Sequence, residues 1–318
     1  MRGEKGTVLT PHDVERHILA LLRARFGAGV GAILPLMGGE FSRAFAFDAG
    51  DRAYVVRVSE SALAAGAFAK DEYASRRFAA PGLPIPRVVA RGAFAGLQFA
   101  ISERAAGDRV AALPPSRRAA LAPALLDLLD RLAAADVGGS RGYGPWAAVA
   151  DGEFTTWHAF LVAIAADRTG GYYRDWHDLF RTSFLERDLF DALYGRMLTL
   201  AAHCPEERHL LHGDLHFDNL LSDGERITGV IDWGNALYGD PLYDAAWLGR
   251  VNSLGEQFVP PVLLDARYGA LPYYRERLAC YELALGLDDL RFYAKTGRRE
   301  QYDAIRALLL PHLASPGS

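Results

Sequence analysis

The sequence predicts an α+β protein, with an N-terminal antiparallel sheet crossed by one helix and a mostly helical C-terminal part. Up to about residue 104, short apolar runs separated by turn residues are typical of strands. Beyond residue 107, apolar residues recur at helical spacing. The 318 residues suit two medium-sized domains, and we expect an N-terminal lobe over 1–104 and a C-terminal lobe over 105–318.

The N-terminal elements follow from caps and turns. Thr10 can cap a helix whose first position suits Pro11, and Gly27 ends its apolar pattern. Strands are predicted on either side of the turn at 48–51. A helix and two more strands complete the lobe, so the predicted strands cover 44–47, 54–58, 87–94 and 97–103, with the helix at 62–79. Gly38 and Gly39 precede the first of these strands and are by themselves a weak signal for a phosphate-covering loop.

Arg57 is a lone cation inside the apolar strand at 54–58. Alternation permits an outward-facing surface residue, but kinases also place a strand cation at the nucleotide phosphates. Either Asp71 or Glu72 on the following helix could pair with it. The apolar face marked by Phe68 and Phe78 favours Asp71.

The C-terminal part begins after a short polar linker at 104–108. At its edge, the carbonyl of Glu103 and the N–H of Ala105 are candidates to contact an adenine. Leucine and alanine residues then predict one long helix over 117–135. Further helices are predicted at 156–166, 187–203, 242–249, 261–268, 273–286 and 300–313, with a glycine-containing loop at 138–152.

Two pieces of sequence carry the chemistry. His212-Gly213-Asp214 is followed five residues after the aspartate by Asn219, and Asp232 follows a short apolar strand. Two strands of a hairpin would bring Asp214, Asn219 and Asp232 together. Kinases use this arrangement, with the first aspartate accepting the proton of the attacking hydroxyl and the other two residues binding Mg²⁺.

Two other interpretations apply to this segment. Seven acids lie between residues 214 and 244, and Asp223 and Glu225 among them form a turn. The others predict an acidic floor suited to Mg²⁺ and to a positively charged acceptor, and they are Asp214, Asp218, Asp232, Asp240 and Asp244. The alternation of His212, Asp214, His216 and Asp218 is also found in dinuclear metal hydrolases. Such sites need further histidines downstream, and only His312 follows.

Composition excludes several classes of function. The net charge is −4 and no Lys/Arg-rich run occurs, so nothing favours binding to nucleic acid or to an anionic membrane. No apolar run reaches 18 or so residues, and the first ten residues lack the apolar core of a signal peptide. The two cysteines, Cys204 and Cys280, predict reduced thiols and a cytoplasmic protein.

The chain resembles the aminoglycoside phosphotransferase family of kinase-like enzymes. The resemblance rests on His212-Gly213-Asp214 with Asn219, on Ile231-Asp232-Trp233, and on Gly239-Asp240-Pro241 with Asp244. It extends over about residues 35–308 and includes Arg57, where most of the family has lysine. The C-terminal helices are only partly alike.

The resemblance implies a two-lobed protein-kinase-like fold that uses ATP with Mg²⁺ to phosphorylate a hydroxyl of a hygromycin B-like aminoglycoside. It implies the catalytic base Asp214 and the metal ligands Asn219 and Asp232. The implied nucleotide contacts are Ser42, Arg57 with Asp71 or Glu72, Glu103 and Ala105. Acceptor candidates are Trp157, Asp218, Trp233 and Asn235. A kinase for a macrolide, choline, homoserine or a sugar, and a non-catalytic kinase-like binding module, remain alternatives, and monomer or dimer is left open.

Overall fold

The computed structural model describes residues 10–37, 41–146, 150–167, 169–250 and 258–314. The chain divides into two compact units, Met1–Ala79 with Pro86–Ala105, and Ala80–Ile85 with Ala106–Ser318. The segment Ala80–Ile85 thus groups with the second unit, although the prediction placed it in the first. Its Leu83 is buried, and the carbonyl of Pro84 accepts a hydrogen bond from Val230 at 2.8 Å.

The first unit contains a five-stranded antiparallel sheet. Its strands, in chain order, are β1 (Leu34–Leu36), β2 (Arg43–Ala49), β3 (Arg52–Ser59), β4 (Val88–Phe94) and β5 (Leu97–Glu103). They lie in the order β1-β2-β3-β5-β4. The four longer strands match the predicted ones, whereas the three-residue β1 was not predicted.

The two faces of this sheet are covered by different helices. Helix α1 (Pro11–Phe26) is capped by Thr10, whose hydroxyl accepts the Asp13 N–H at 3.1 Å. Its apolar side packs with Phe45, Val56 and other buried side chains of one sheet face. Helix α2 (Ala64–Phe78) contributes to a smaller cluster with Ala100 of β5. Because side chains alternate along a strand, Ala100 belongs to the opposite face from Phe99 and Ile101.

The second unit is mostly helical. Its helices are α3 (Pro115–Ala120), α4 (Ala122–Ala133), α5 (Trp157–Val162), α6 (Leu179–Thr182), α7 (Arg187–Ala201), α8 (Leu242–Gly249), α9 (Pro261–Tyr268), α10 (Tyr274–Thr296), α11 (Arg299–Leu309) and α12 (Pro311–Ala314). No helix in the described ranges is long and apolar enough to cross a membrane.

Short strands complete the second unit. They are β6 (Asp108–Arg109), β7 (Tyr143–Trp146), β8 (Gly152–Phe154), β9 (His209–Leu211), β10 (Leu220–Ser222), β11 (Ile227–Val230) and β12 (Leu237–Gly239). They form two sheets, in the orders β11-β10-β6 and β8-β7-β12-β9. Strands β10 and β11 pair antiparallel, which makes the hairpin that the sequence predicts around the catalytic segment.

Three helix predictions were wrong, and the helix expected over 300–313 is interrupted at Leu310, directly before Pro311. The helix expected over 117–135 is interrupted at Leu121, because Pro123 lacks the N–H that a continuous helix needs there. The helix expected to end at Gly286 continues to Thr296. Gly286 is a packing residue, since a Cβ atom at this position would lie 2.5 Å from a methyl carbon of Leu309.

Candidate active site

The catalytic loop connects β9 to β10 and is held by its own backbone. The N–H of His216 donates to the carbonyl of Asp214 at 3.0 Å, and the N–H of Asn219 donates to the carbonyl of His216 at 2.9 Å. Residues Phe217–Asn219 form one turn of 3₁₀ helix. The Asn219 carbonyl then accepts the Ile231 N–H at 2.9 Å, which ties the loop to the residue after β11.

This backbone brings the three predicted reacting residues together. The amide nitrogen of Asn219 donates to the carbonyl of Asp214 at 2.9 Å and lies 3.4 Å from its Oδ2. Asp232 directly follows Ile231 in the left-handed backbone region, with φ 64°. Aspartate tolerates this conformation better than most residues do. The carboxylate of Asp232 is near enough to influence the ionisation of Asp214.

The pKa of Asp214 is raised above its ordinary value. The first cause is burial, which disfavours the carboxylate form. His216, with Nε2 3.6 Å from Asp214 Oδ1, acts against this, whereas the negative charge of Asp232 adds to it. Asn235 also donates to Asp214 Oδ2 at 3.3 Å and stabilises the charged form. A raised pKa suits a residue that must take up a proton.

His212 supports the loop as a neutral side chain. Burial lowers its pKa to about 4. Its Nε2 lies 3.0 Å from the Ile231 carbonyl, and its Nδ1 accepts the Asp214 N–H at 3.3 Å. Donating through one ring nitrogen and accepting through the other requires the neutral imidazole. His212 therefore positions the backbone of Asp214, as expected for a histidine that is not itself the base.

Asp244 is a functional residue for which the sequence predicted no individual role, although it belongs to the motif that begins at Gly239. Its carboxylate accepts the N–H groups of His212 at 2.6 Å and of Gly213 at 2.9 Å. Burial raises its pKa to about 6, although these two hydrogen bonds act in the opposite direction. In the sequence, the signal that could have identified Asp244 was an aspartate within the first turn of an apolar helix. This helix, α8, is otherwise almost entirely buried.

Gly213 is required by the geometry of the same loop. Its φ is 76°, in the region that favours glycine. A Cβ atom at Gly213 would lie 2.4 Å from the carbonyl oxygen of Asn235 and 2.5 Å from a methyl carbon of Leu237. The N–H of Trp247's indole donates to the Gly213 carbonyl at 3.1 Å. Every polar backbone group of Gly213 is thus engaged.

The predicted acidic floor is smaller than expected. Asp240 is fully buried, and Arg277 binds both of its oxygens, at 2.7 and 2.8 Å. Tyr281 donates to Asp240 as well, at 2.6 Å. Asp240 and Asp244 therefore both belong to the interior, because internal hydrogen bonds occupy their carboxylates. Of the non-turn acids in this segment, Asp214, Asp218 and Asp232 are at least partly exposed.

Two of the four acceptor candidates are wrong as contacts. Trp157 is 0% exposed and packs on Tyr243 and Tyr281. Its indole N–H donates to the hydroxyl of Tyr281 at 3.0 Å. Trp233 is 1% exposed, and its indole donates to the Val230 carbonyl at 3.1 Å. An indole enclosed in this way has no surface for a ligand. Both tryptophans are core residues beside the site.

The other two acceptor candidates lie on the exposed side of the loop. The side chain of Asn235 is exposed and reaches Asp214. That of Asp218 is about half exposed, with its carboxylate 3.7 Å from Nδ1 of His216 and 3.8 Å from Arg109. A ligand placed against Asp214 would therefore have Asn235 and Asp218 in reach.

In the first unit, the structure shows whether Asp71 or Glu72 pairs with Arg57. Arg57 forms an ion pair with Asp71, which is buried, and its guanidinium lies over the ring of Phe68 at 5.0 Å. Glu72 instead pairs with Arg91 of β4 at 2.6 Å. The preference for Asp71 is confirmed as a contact. Glu72, as a partner of Arg57, is excluded by its own pairing.

The remaining nucleotide candidates lie at the ends of strands. Ser42 is partly buried and directly precedes β2, whereas Gly38 and Gly39 lie outside the described residues. Glu103 ends β5 and donates its N–H to the Arg87 carbonyl at 2.9 Å, while its carboxylate binds the Arg87 side chain at 2.6 Å. Ala105 is partly buried two residues on. Contact of these residues with adenine stays a prediction.

The donor set fits a magnesium ion. Asn219 contacts Asp214 through its amide nitrogen, so its amide oxygen is the end that can bind a cation. The negative charges of Asp214 and Asp232 repel each other, and this repulsion adds to the effect of burial in raising the pKa of Asp214. A hard divalent cation, which prefers carboxylate and amide oxygens, would relieve this repulsion. The described residues contain no cluster of three His, Cys, Asp or Glu side chains that would form a site without Asn219.

Comparison with known proteins places this site in a family. A profile described as the phosphotransferase enzyme family matches residues 32–281. The chain belongs to this family. It is also 35% identical over 294 residues to hygromycin-B 4-O-kinase of Escherichia coli, covering 90% of this chain and 80% of that protein.

Solved structures agree with this membership. The crystal structure of aminoglycoside phosphotransferase APH(4)-Ia is 31% identical, has a TM-score of 0.82, and covers 95% of this chain and 99% of that one. A thermostable mutant of it, in ternary complex with AMP-PNP and hygromycin B, is 33% identical with a TM-score of 0.81, covering 93% and 97%. This chain has the predicted kinase-like α+β fold, and as a member of this family it is an O-kinase.

Proposed function

We propose that this phosphotransferase transfers the γ-phosphoryl group of ATP, with Mg²⁺, to a hydroxyl of a hygromycin B-like aminoglycoside, and so confers resistance. The observation that carries the proposal is the convergence of Asp214, Asn219 and Asp232 on one hairpin. The relatives named above support the substrate class, since one is a hygromycin-B kinase and the other was solved with hygromycin B and a nucleotide analogue.

Asp214 is the proposed base. Phosphoryl transfer needs positioning and charge stabilisation more than covalent help, so its first task is to orient the acceptor hydroxyl. Its second task is to take the proton as the new O–P bond forms. Burial and Asp232 raise its pKa and favour proton uptake, while His216 and Asn235 act in the opposite direction and favour the carboxylate form.

Asn219 and Asp232 would hold the magnesium ion through their side-chain oxygens. When bound, the ion neutralises negative charge on the phosphate oxygens. In the first unit, Arg57 is the proposed cation at the phosphates, held by Asp71. We place Ser42 in the loop over the nucleotide, and Glu103 and Ala105 at the adenine edge, so the first unit would bind the nucleotide and the second the acceptor.

The acceptor contacts that we retain are Asp218 and Asn235. Asp218 presents a half-exposed carboxylate. Aminoglycosides carry ammonium groups, and a carboxylate beside the base would pair with one of them. Asn235 has an amide beside Asp214 Oδ2 and would donate to or accept from a neighbouring hydroxyl of the acceptor.

A panel assay of ADP release tests the proposal. The purified protein, with ATP and Mg²⁺, is offered hygromycin B, other aminoglycosides, a macrolide, choline, homoserine and a simple sugar. We expect hygromycin B to stimulate ADP release, and removal of Mg²⁺ to abolish it. Release only with a macrolide or a metabolic alcohol would replace the proposed acceptor. Nucleotide binding without ADP release for any acceptor would favour a kinase-like binding module.

The other small alcohols stay in the panel for a specific reason. Homoserine kinase of Methylobacillus flagellatus is 31% identical over 91 residues, which is 27% of this chain and 28% of that protein. The local match supports shared phosphotransfer chemistry. Its short span gives no support to homoserine as the acceptor, and we rank this acceptor second.

A further inference from the structure

The two cysteines of the chain meet where α7 and α10 pack together. Cys280 lies on α10 and is fully buried, with its Sγ 3.6 Å from the carbonyl oxygen of Met197 on α7. Cys204 lies in the turn after α7, where its N–H donates to the carbonyl of Ala201 at 3.0 Å, and it is partly exposed. Both are free thiols, and their side chains are hydrogen-bonded to each other. Solvent can therefore reach one thiol, and the other lies next to it in the interior.

The surroundings of the two thiols make Cys204 the more reactive one. Its hydrogen bond with Cys280 lowers the pKa of Cys204, and the hydroxyl of Tyr281 adds to this, whereas burial acts against it. The pKa of Cys280 is raised, first by the same hydrogen bond and then by burial. Because the thiolate is the nucleophile in thiol oxidation, an oxidant would react first with Cys204, and Cys280 would be the resolving thiol.

Cys280 shares one side of α10 with two residues that support the catalytic segment. Arg277 and Tyr281 lie three residues before it and one after it, so they face the same way. Both bind the buried carboxylate of Asp240, Arg277 at 2.7 and 2.8 Å and Tyr281 at 2.6 Å. Asp240 also accepts the N–H of Leu242 at 3.0 Å. This side of α10 therefore holds the start of α8 in place.

The start of α8 matters because Asp244, in its first turn, accepts the N–H groups of His212 and Gly213 in the catalytic loop. A second connection runs along the chain, since Cys204 precedes β9, which leads directly into His212. We propose that Cys204 and Cys280 form a peroxide-sensitive dithiol, and that its oxidation to a disulfide lowers the rate of phosphotransfer by displacing the supports of the catalytic loop.

Forming the disulfide requires movement in this region. A disulfide holds its two sulfur atoms about 2.05 Å apart, which is closer than hydrogen-bonded thiols can approach. Cys204 must also give up its hydrogen bond with the hydroxyl of Tyr281. Because the interior is close-packed, drawing Cys204 towards α10 must shift Tyr281 or the chain that leads to β9.

The oxidation takes two electrons from the thiols, and a peroxide accepts them. The thiolate of Cys204 attacks one oxygen of hydrogen peroxide, the O–O bond breaks, and Cys204 becomes a sulfenic acid. The hydroxide that leaves takes up the proton lost by Cys204 and forms water. The sulfur of Cys280 then attacks the sulfur of Cys204, and the S–O bond breaks as the S–S bond forms. The second oxygen leaves as water with the proton of Cys280, so one peroxide gives one disulfide and two water molecules.

The test treats the folded full-length protein with hydrogen peroxide and then removes the peroxide. Intact mass should show the loss of two hydrogen atoms, and non-reducing digestion should give a peptide pair linked through Cys204 and Cys280. We expect kcat for ADP release to fall by about 10-fold or more. Dithiothreitol should restore it, because this reductant reverses a disulfide, whereas methionine sulfoxide requires its own reductases.

Hydrogen exchange gives a readout that does not depend on catalysis. The N–H groups of His212 and Gly213 donate to Asp244, so exchange in the peptide that contains them should become faster after oxidation and slow again after reduction.

Cys204→Ser is the matched control, because it leaves only the buried Cys280. Its kcat before treatment should stay within about two-fold of the wild-type value, and peroxide should change neither its kcat nor its hydrogen exchange. Equal loss of activity in Cys204→Ser and in the wild type would assign the loss to another residue and overturn the inference.

Two further results would overturn it. One is a peroxide-treated wild type without the linked peptide pair, and the other is a linked protein with unchanged hydrogen exchange in the catalytic loop. The rate readout rests on the proposed function, whereas the mass and exchange readouts do not. If the untreated wild type releases no ADP with any acceptor, the proposed function fails, and linkage and exchange still decide whether this pair displaces the loop.

Discussion

The two units hold their reacting groups by different means. In the first, the side chain of Arg57 is held by other side chains, Asp71 and Phe68, in a slot lined by alanines. In the second, Asp214 is held through its backbone, by His212 and by the loop N–H groups that donate to Asp244. The first site should thus be sensitive to side-chain length, and the second to backbone conformation and to the protonation of buried groups.

The largest expected effect is at the base itself. Asp214→Ala should lower kcat by on the order of 10²–10⁴, because it removes the group that orients the acceptor hydroxyl and accepts its proton. Binding of ATP should change little. Steady-state ADP release and nucleotide titration measure the two quantities. Asp223→Asn, in the exposed turn after β10, is the control and should retain activity; equal activity of both variants would remove Asp214 from its role.

The backbone side of the comparison is tested at Gly213. Gly213→Ala places a Cβ atom 2.4 Å from the Asn235 carbonyl in a left-handed conformation, so the loop must shift. We expect kcat to fall by about 100-fold, in line with the sensitivity of catalysis to small displacements. Gly224→Ala is the matched control, because Gly224 also has a positive φ, 97°, but meets nothing within 4 Å. Equal losses in the two variants would indicate backbone strain rather than the clash.

The metal-ligand assignment predicts a smaller change. Asp232→Asn keeps the size of the side chain and removes its charge, so affinity for Mg·ATP should fall by roughly 10- to 100-fold. Nucleotide titration at several Mg²⁺ concentrations measures this, and excess Mg²⁺ should partly restore binding. Asp218→Asn removes a nearby charge and should leave Mg·ATP binding unchanged. An unaltered titration of Asp232→Asn contradicts the assignment.

The smallest expected effect comes from two buried groups that oppose each other. His212 has a pKa of about 4 when folded and 6.5 when unfolded, so the unfolded chain binds more protons and stability rises with pH over this range. Asp244 has a pKa of about 6 when folded and 3.8 when unfolded, so its contribution falls over nearly the same range. Each contribution is about 3 kcal/mol, and in the wild type they should nearly cancel.

Variants of these two residues separate the contributions. Relative to the wild type, His212→Gln should lose stability as pH rises from 4 to 6.5, and Asp244→Asn should gain it. Urea unfolding at several pH values measures both trends. Parallel pH profiles for the wild type and the two variants would show that neither group titrates as described.

Local sequence was a good guide where function depends on short spacings. Asp214 and Asn219 are five residues apart within one loop, and Asp232 lies two residues after the partner strand of a hairpin, so their meeting follows from the chain itself. The preference for Asp71 over Glu72 came from the apolar face of one helix. Both inferences rest on the regular periods of strands and helices, which hold whatever the rest of the chain does.

Burial was decided by the tertiary structure. Nothing in the local pattern separates Asp240, paired with Arg277 from a helix 37 residues away, from the partly exposed Asp218. Likewise Trp157 lies inside because Tyr281, 124 residues later, packs on it and binds its indole. Long-range contacts of this kind select which polar and aromatic residues face a ligand, and local spacing carries no information about them.

The sequence by itself therefore determined the reaction, through the order and spacing of Asp214, Asn219 and Asp232, and the α+β class, through periodicity. The tertiary structure alone decided how these groups are held. It made Asp244 an anchor of the catalytic loop and placed alanines on both sides of Arg57. The physical reason is that chemistry is set by residue type over a few positions, whereas support depends on which distant surfaces are buried together.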